Sequence, residues 1–329
     1  MTGKKLSALK LAVSLLVIAA ASYAQSSSIL RDTSFTINGT AAKVTMQYPF
    51  TKLVDSKIPK TVIKFGNVVY ASLGDRKLHL DIFKPKRYAG LLPAVVIIHG
   101  GGWRSGDRSM EWPTAIHLAE KGYVAVTVEY RLSPEAKYPA SVYDLKSAVR
   151  WLRANAGKYK IDADKIAASG CSSGGELAAF IGVTNSNKKF AGGKTNSKYS
   201  ADVQAVIDID GILDFTDPNE SGKDTILSKP SAGKAWLGYS FKENPEIWRE
   251  ASPINYVDKN CPPICFINSS LPRFHAGRDS VISMLNRLNI YSEVHTIANT
   301  PHPFWLFHPW FDETFNYMVK FLDRIFNRK

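Results

Sequence analysis

The chain has 329 residues, 45% of them hydrophobic and 22% charged, with a formal net charge of +13 at pH 7. That balance excludes a disordered or fibrous protein, and the length suits one large domain around a single core. The basic residues are scattered rather than clustered, which argues against a nucleic-acid-binding surface and leaves solubility or an anionic substrate as the reading of the charge.

In chain order, Lys4, Lys5 and Lys10 precede an apolar run from Leu11 to Ala21, and Ser22-Tyr23-Ala24 offers small residues where a signal peptidase reads. The run is too short to span a bilayer comfortably, so no stable membrane insertion is expected. Residues 1–24 therefore read as a signal peptide cleaved after Ala24, with export to a periplasm or beyond. Loss of its three lysines lowers the charge from +13 to +10. Residues 25–60 are polar and irregular, a leader or accessory strand region, and residues 61–329 read as the main domain.

From Val62 the pattern becomes regular. Strands are expected at Val62 to Tyr70 and Lys77 to Phe83, the second alternating through Leu78, Leu80 and Ile82. Pro93 to Ile98 is wholly apolar, as in a strand covered on both faces. Further strands follow at Tyr123 to Glu129, Lys165 to Ser169, Val203 to Ile209, Pro263 to Ile267 and Glu293 to Ile297. Helices are expected at Trp112 to Lys121, Tyr143 to Ala154, from Glu176 to Ile181, at Val281 to Leu288 and at Phe311 to Phe326. A hairpin followed by alternating strands and helices implies a mostly parallel eight-stranded sheet with helices on both faces. Residues 184–200 and about 212–255 interrupt the alternation and are the candidate cap insertions.

Gly170-Cys171-Ser172-Ser173-Gly174 lies between a short buried strand and a helix start, the setting of a nucleophile elbow centred on Ser172. A serine needs exposure, a base and an oxyanion site to act as a nucleophile. The five-residue pattern alone also arises by chance in Gly/Ser-rich loops. His99-Gly100-Gly101-Gly102-Trp103 follows the third strand, and glycines there let backbone N–H groups face a developing oxyanion. The amides of Gly101, Gly102 and Ser173 are the candidate donors. Of seven histidines, His302 sits a few residues past the last strand, where a loop can carry it over the elbow. His308 and His275 are its alternatives. The acid is less direct. The stretch after the seventh strand, Asn268 to Arg273, has no carboxylate; Asp279 is the first acid beyond it and the reading preferred here. Asp210, at the end of the sixth strand, is its rival. Cys171, Cys261 and Cys265 make no disulfide framework or metal spacing and are expected to be free.

Three motifs together, His99-Gly-Gly-Gly-Trp103, Tyr130-Arg-Leu-Ser-Pro134 through Tyr138-Pro-Ala140 to Asp144, and Gly-Cys-Ser172-Ser-Gly-Gly175, resemble the α/β-hydrolase superfamily. The chain looks closest to its bacterial feruloyl- and acetyl-esterase-like branch, beside the hormone-sensitive-lipase-like esterases, over residues 62–328. It departs from that branch in having Ser173 where alanine is usual, and in lacking the usual acid. Pro301-His-Pro-Phe-Trp305 is also similar to secreted esterases that deacetylate plant-wall polysaccharides such as pectin or xylan. The resemblance implies an α/β-hydrolase fold and a Ser-His-Asp esterase that needs no metal or organic cofactor. Its expected partner is an ester on an acidic polysaccharide, contacted by Trp103, Arg273, Arg278 and Trp305, with Trp236 and Trp310 as further stacking candidates. A carboxylesterase for small or lipid esters and a catalytically inactive binding module are the alternatives; a peptidase of the prolyl-oligopeptidase kind is disfavoured without a propeller-sized domain.

Overall fold

Apolar, β-branched runs too short for helices build the centre of the molecule. The strands are β1 (Val62–Leu73), β2 (Arg76–Pro85), β3 (Leu92–Ile98), β4 (Val124–Val128), β5 (Ile161–Cys171), β6 (Ala205–Ile209), β7 (Ile264–Ser269) and β8 (Ser292–Ile297). The structure, a computed structural model, describes residues 32–193, 195–222 and 230–327, so the segment read as a signal peptide lies outside the described residues. The strands form one sheet in the order β1-β2-β4-β3-β5-β6-β7-β8. β1 with β2 and β2 with β4 run antiparallel, and every other neighbouring pair is parallel. This is the eight-stranded, mostly parallel sheet expected from the sequence.

Period-two alternation divides each central strand between two cores. In β3, Ala94, Val96 and Ile98 point to one side, while Val95 and Ile97 point to the other. The labelled helices are α1 (Ile37–Gln47), α2 (Trp112–Glu120), α3 (Ala140–Ala154), α4 (Ser173–Val183), α5 (Arg278–Arg287) and α6 (Trp310–Ile325). Leu145 and Val149 of α3, Leu177 and Phe180 of α4, and Leu285 of α5 pack on the first side. Ile116 of α2 and Phe315 and Phe321 of α6 pack on the second. Among the described residues no helix is long and apolar enough to cross a membrane.

The described part of the region before β1, expected to be irregular or an accessory strand, holds a helix as well as the short strand Lys52–Leu53. Thr36 caps α1, its Oγ1 accepting from Gly39 N at 3.1 Å. Only Val44 of this helix is buried, so it carries little of the apolar periodicity that would reveal it. A two-residue pairing of Lys52–Leu53 with Phe307–His308 ties this region to the C-terminal part of the chain. Of the two insertions, the second supplies Ile212 and Ala232 to the wall of the cavity above the sheet. The first packs aside, with Arg150 Nη1 of α3 donating to Gly193 O at 3.1 Å, and none of its described residues lines that cavity.

Candidate active site

The turn from β5 into α4 is feasible because glycines flank it. A side chain on Gly170 would place Cβ 2.0 Å from Gly174 O, and one on Gly174 would place it 2.1 Å from Ile98 O. Ser172 at its apex has φ 57° and ψ −123°, a conformation that L-residues rarely adopt, and its N–H donates to Ile209 O at 2.7 Å. The turn lifts the Ser172 hydroxyl to the carboxyl ends of the parallel strands, where open α/β sheets hold their ligands.

His302 comes from the loop after β8, and its Nε2 lies 2.8 Å from Ser172 Oγ. Its Nδ1 lies 2.9 Å from Asp210 Oδ2. Asp210 follows β6, is fully buried, and sits at φ 51°. Ser269, at the end of β7, donates to Asp210 twice: its N–H to Oδ1 and its hydroxyl to Oδ2, each at 2.7 Å. Phe274 stacks on the imidazole at a centroid distance of 3.7 Å and 4° between planes, and Trp305 meets it edge-on at 5.1 Å. Burial holds the His302 pKa below its ordinary value, with Asp210 opposing that shift. A neutral imidazole whose Nδ1–H is held by a carboxylate is oriented to accept a proton at Nε2.

Asp279 does not join this group. It stands in the first turn of α5 with its carboxylate 78% exposed, accepting from Arg278 Nε at 2.8 Å. The preference for Asp279 is thus corrected to Asp210. The end of β7 carries Ser269 instead of an acid, and the residue after the neighbouring strand β6 supplies the carboxylate that Ser269 grips. The alternative histidines are also engaged elsewhere: His275 Nε2 lies 2.8 Å from Ser269 O, and His308 pairs with Asp312.

Gly101, Gly102 and Ser173 line a cavity of about 340 Å³ with Ser172, His302 and Asp210. Ser173 opens α4, whose N-terminal end adds partial positive charge there. Gly101 has φ 123°, and a Cβ on it would lie 2.2 Å from Ser105 O, so this turn tolerates no larger residue.

The expected substrate contacts divide. Trp103, Arg273 and Trp305 line the cavity; Arg278 does not. Trp103 is only 3% exposed: it stacks on the fully buried Trp236 at 4.9 Å and donates from Nε1 to Glu176 Oε2 at 2.8 Å. Trp103 lines the cavity with the buried Trp236 stacked on it, which corrects the reading of Trp236 as a sugar-stacking surface. Trp310 packs against Tyr48 and Phe50 and is not part of the cavity wall. Arg273 is held by Glu220 through both Nε and Nη2. Arg278 bonds Asp279 and Asn268 Oδ1, so neither arginine stands free for a substrate carboxylate.

Three contributors escaped the sequence reading. Ser269 lies in the stretch that lacks the usual acid, and Phe274 follows directly after it. Glu111, in the turn before α2, lines the cavity although just 1% exposed. Cys171, Cys261 and Cys265 are free, and all three are buried.

Residues 80–284 match the model of the BD-FAE family. Esterase LipC of Mycobacterium tuberculosis is 30% identical over 58% of this chain and 45% of its own length. The probable carboxylic ester hydrolase LipM of the same organism is 27% identical over 72% and 53%. The chain thus spans about half the length of these curated relatives. Among solved structures, a truncated carbohydrate esterase from gut microbiota superposes with a TM-score of 0.67 at 25% identity, over 78% of this chain and 95% of the other. A bifunctional GH43-CE protein of Bacteroides eggerthii gives 0.69 at 27% identity, over 82% and 39%. The expected α/β-hydrolase architecture is therefore shared with esterases of known structure.

Proposed function

The chain belongs to the BD-FAE family, and on that footing we propose that it is a serine esterase acting on acetyl or feruloyl esters of plant-wall polysaccharide. The observation that carries the reading is the continuous relay from Asp210 through His302 to Ser172, at 2.9 and 2.8 Å, opening into one cavity. Ser172 Oγ attacks the ester carbonyl while His302 Nε2 takes its proton. Asp210 holds Nδ1–H and stabilises the imidazolium. The amides of Gly101, Gly102 and Ser173 receive the tetrahedral oxyanion. His302 then protonates the departing sugar oxygen, and water repeats the sequence on the acyl-enzyme.

The carbohydrate assignment draws support from the two solved neighbours, described as a carbohydrate esterase and a GH43-CE protein. The N-terminal segment with Lys4, Lys5 and Lys10 before an apolar run supports export, which brings the enzyme to such polymers. With Arg273 and Arg278 engaged by Glu220 and Asp279, recognition of acidic sugars does not rest on those two residues.

Acetate release from acetylated xylan and pectin, set against 4-nitrophenyl esters of increasing acyl length, tests this reading. The expected result is turnover of the polymers and of the shortest esters. A preference for long acyl chains would overturn it in favour of a lipid or small-molecule carboxylesterase.

A further inference from the structure

Glu111 lies at the end of the turn Arg108–Glu111, beside the elbow and in the wall of the same cavity as Ser172 and His302. A carboxyl that is 1% exposed needs a cation or several donors to offset its lost hydration. Among the described residues it has neither. Its one hydrogen-bond contact is with the Cys171 thiol, at 3.9 Å from Oε2, and a thiol is a weak donor. The cavity's two arginines are committed elsewhere, Arg104 to Asp32 at 2.6 Å and Arg273 to Glu220. Much of the remaining wall is apolar, with Met110, Trp305 and Leu306 among its members. Leucine or methionine would fill such a position without the cost, so the polar group points to a ligand that completes its hydrogen bonds.

Resting on the esterase reading above, we propose that Glu111 is a specificity-determining residue that hydrogen-bonds a hydroxyl group of the bound substrate and biases the site toward polyol and sugar esters. Its titratable neighbours are the Cys171 thiol and the buried Tyr130 phenol, and the His302–Asp210 pair lines the same cavity. None supplies a fixed positive charge. Burial accordingly pushes the Glu111 carboxyl up to about 8, so at neutral pH it carries a proton to donate and an oxygen to accept. Above that pH it becomes an anion beside the site where the oxyanion forms.

The test compares monoacetylglycerol with propyl acetate, which share the acyl group and a three-carbon alcohol and differ in two hydroxyls. For Glu111→Leu, the ratio of kcat/KM on monoacetylglycerol to that on propyl acetate should fall about tenfold, the loss of one buried hydrogen bond. Glu111→Gln keeps a neutral donor, so it should preserve that ratio and remove the decline in kcat/KM above about pH 8. An unchanged ratio in Glu111→Leu overturns the proposal. Should that variant fail to fold, a wild-type alkaline decline persisting in Glu111→Gln overturns it instead. Failure of the esterase reading looks different: wild-type protein would then hydrolyse neither ester.

Discussion

The Ser269 hydroxyl donates to Asp210 Oδ2, the carboxylate oxygen that also faces His302 Nδ1. Two neighbouring strands thus share the support of one imidazole, β6 supplying the charge and β7 the residue that aims it. Asp210→Asn should lower kcat by about 10³–10⁴-fold by weakening control of the His302 tautomer. Asp279→Asn should leave it within about twofold, since surface substitutions away from such features perturb little. Steady-state kinetics on 4-nitrophenyl acetate separates the two carboxylates.

Ser269→Ala removes one of the two bonds that Ser269 donates to the Asp210 carboxylate while leaving the charge in place. A loss of about tenfold in kcat is expected, the size of one hydrogen bond to a charged group. Retention of full activity would mean that the backbone N–H of Ser269 suffices to orient Asp210.

The acid limb of the pH–rate profile reports His302, which must be neutral to accept the serine proton. Burial lowers its pKa and Asp210 raises it. Activity should therefore persist below the ordinary imidazole value of about 6.5 and be lost as pH falls through the folded-state value. In Asp210→Asn the raising contribution is gone, so the residual activity should show its acid limb at still lower pH.

Buried Asp208 bears on stability. Burial pushes its carboxyl up to about 7, against the donation from Gly211 N at 2.7 Å. The folded state therefore holds a proton that the unfolded chain releases between about pH 4 and 7. Its contribution is present below that window and is lost as pH rises through it. Asp208→Asn keeps an acceptor for Gly211 N–H, so its thermal midpoint should fall less than the wild type's between pH 5 and 8. Scanning calorimetry across that range provides the comparison.

Much of the architecture was legible because strands buried on both faces read as apolar runs, and all eight appear near their expected places. The boundaries moved where burial stopped: β5 begins at Ile161, four residues before the apolar stretch at Lys165. Helix α1 was not legible, since one buried valine gives no periodicity. Ser172, His302 and the glycine loop were visible as sequence motifs, each tied to a strand end. In the sequence Asp210 is only the rival of Asp279, because Asp279 is the first acid after the seventh strand. What places Asp210 is the pairing of β6 with β7, a long-range contact with no local signature. Phe274 stacks on His302 and Glu111 reaches the cavity wall only through the tertiary fold, and nothing in their neighbours' spacing marks them.

The elbow's glycines set a steric limit. Gly170→Ala would drive Cβ to within 2.0 Å of Gly174 O, backbone that cannot move without displacing Ser172. A destabilisation of about 3 kcal/mol or more is expected, or failure to accumulate soluble protein. A thermal midpoint equal to wild type would show that the turn relaxes more easily than this packing allows.

The central claim is that Ser172 is a nucleophile activated by His302. Its most direct test is covalent modification by a fluorophosphonate, read by intact-mass and peptide mass spectrometry. A single adduct on Ser172 is expected in the wild-type protein, absent from Ser172→Ala and formed far more slowly in His302→Ala. No adduct, or one on another residue with Ser172 unmodified, would contradict it.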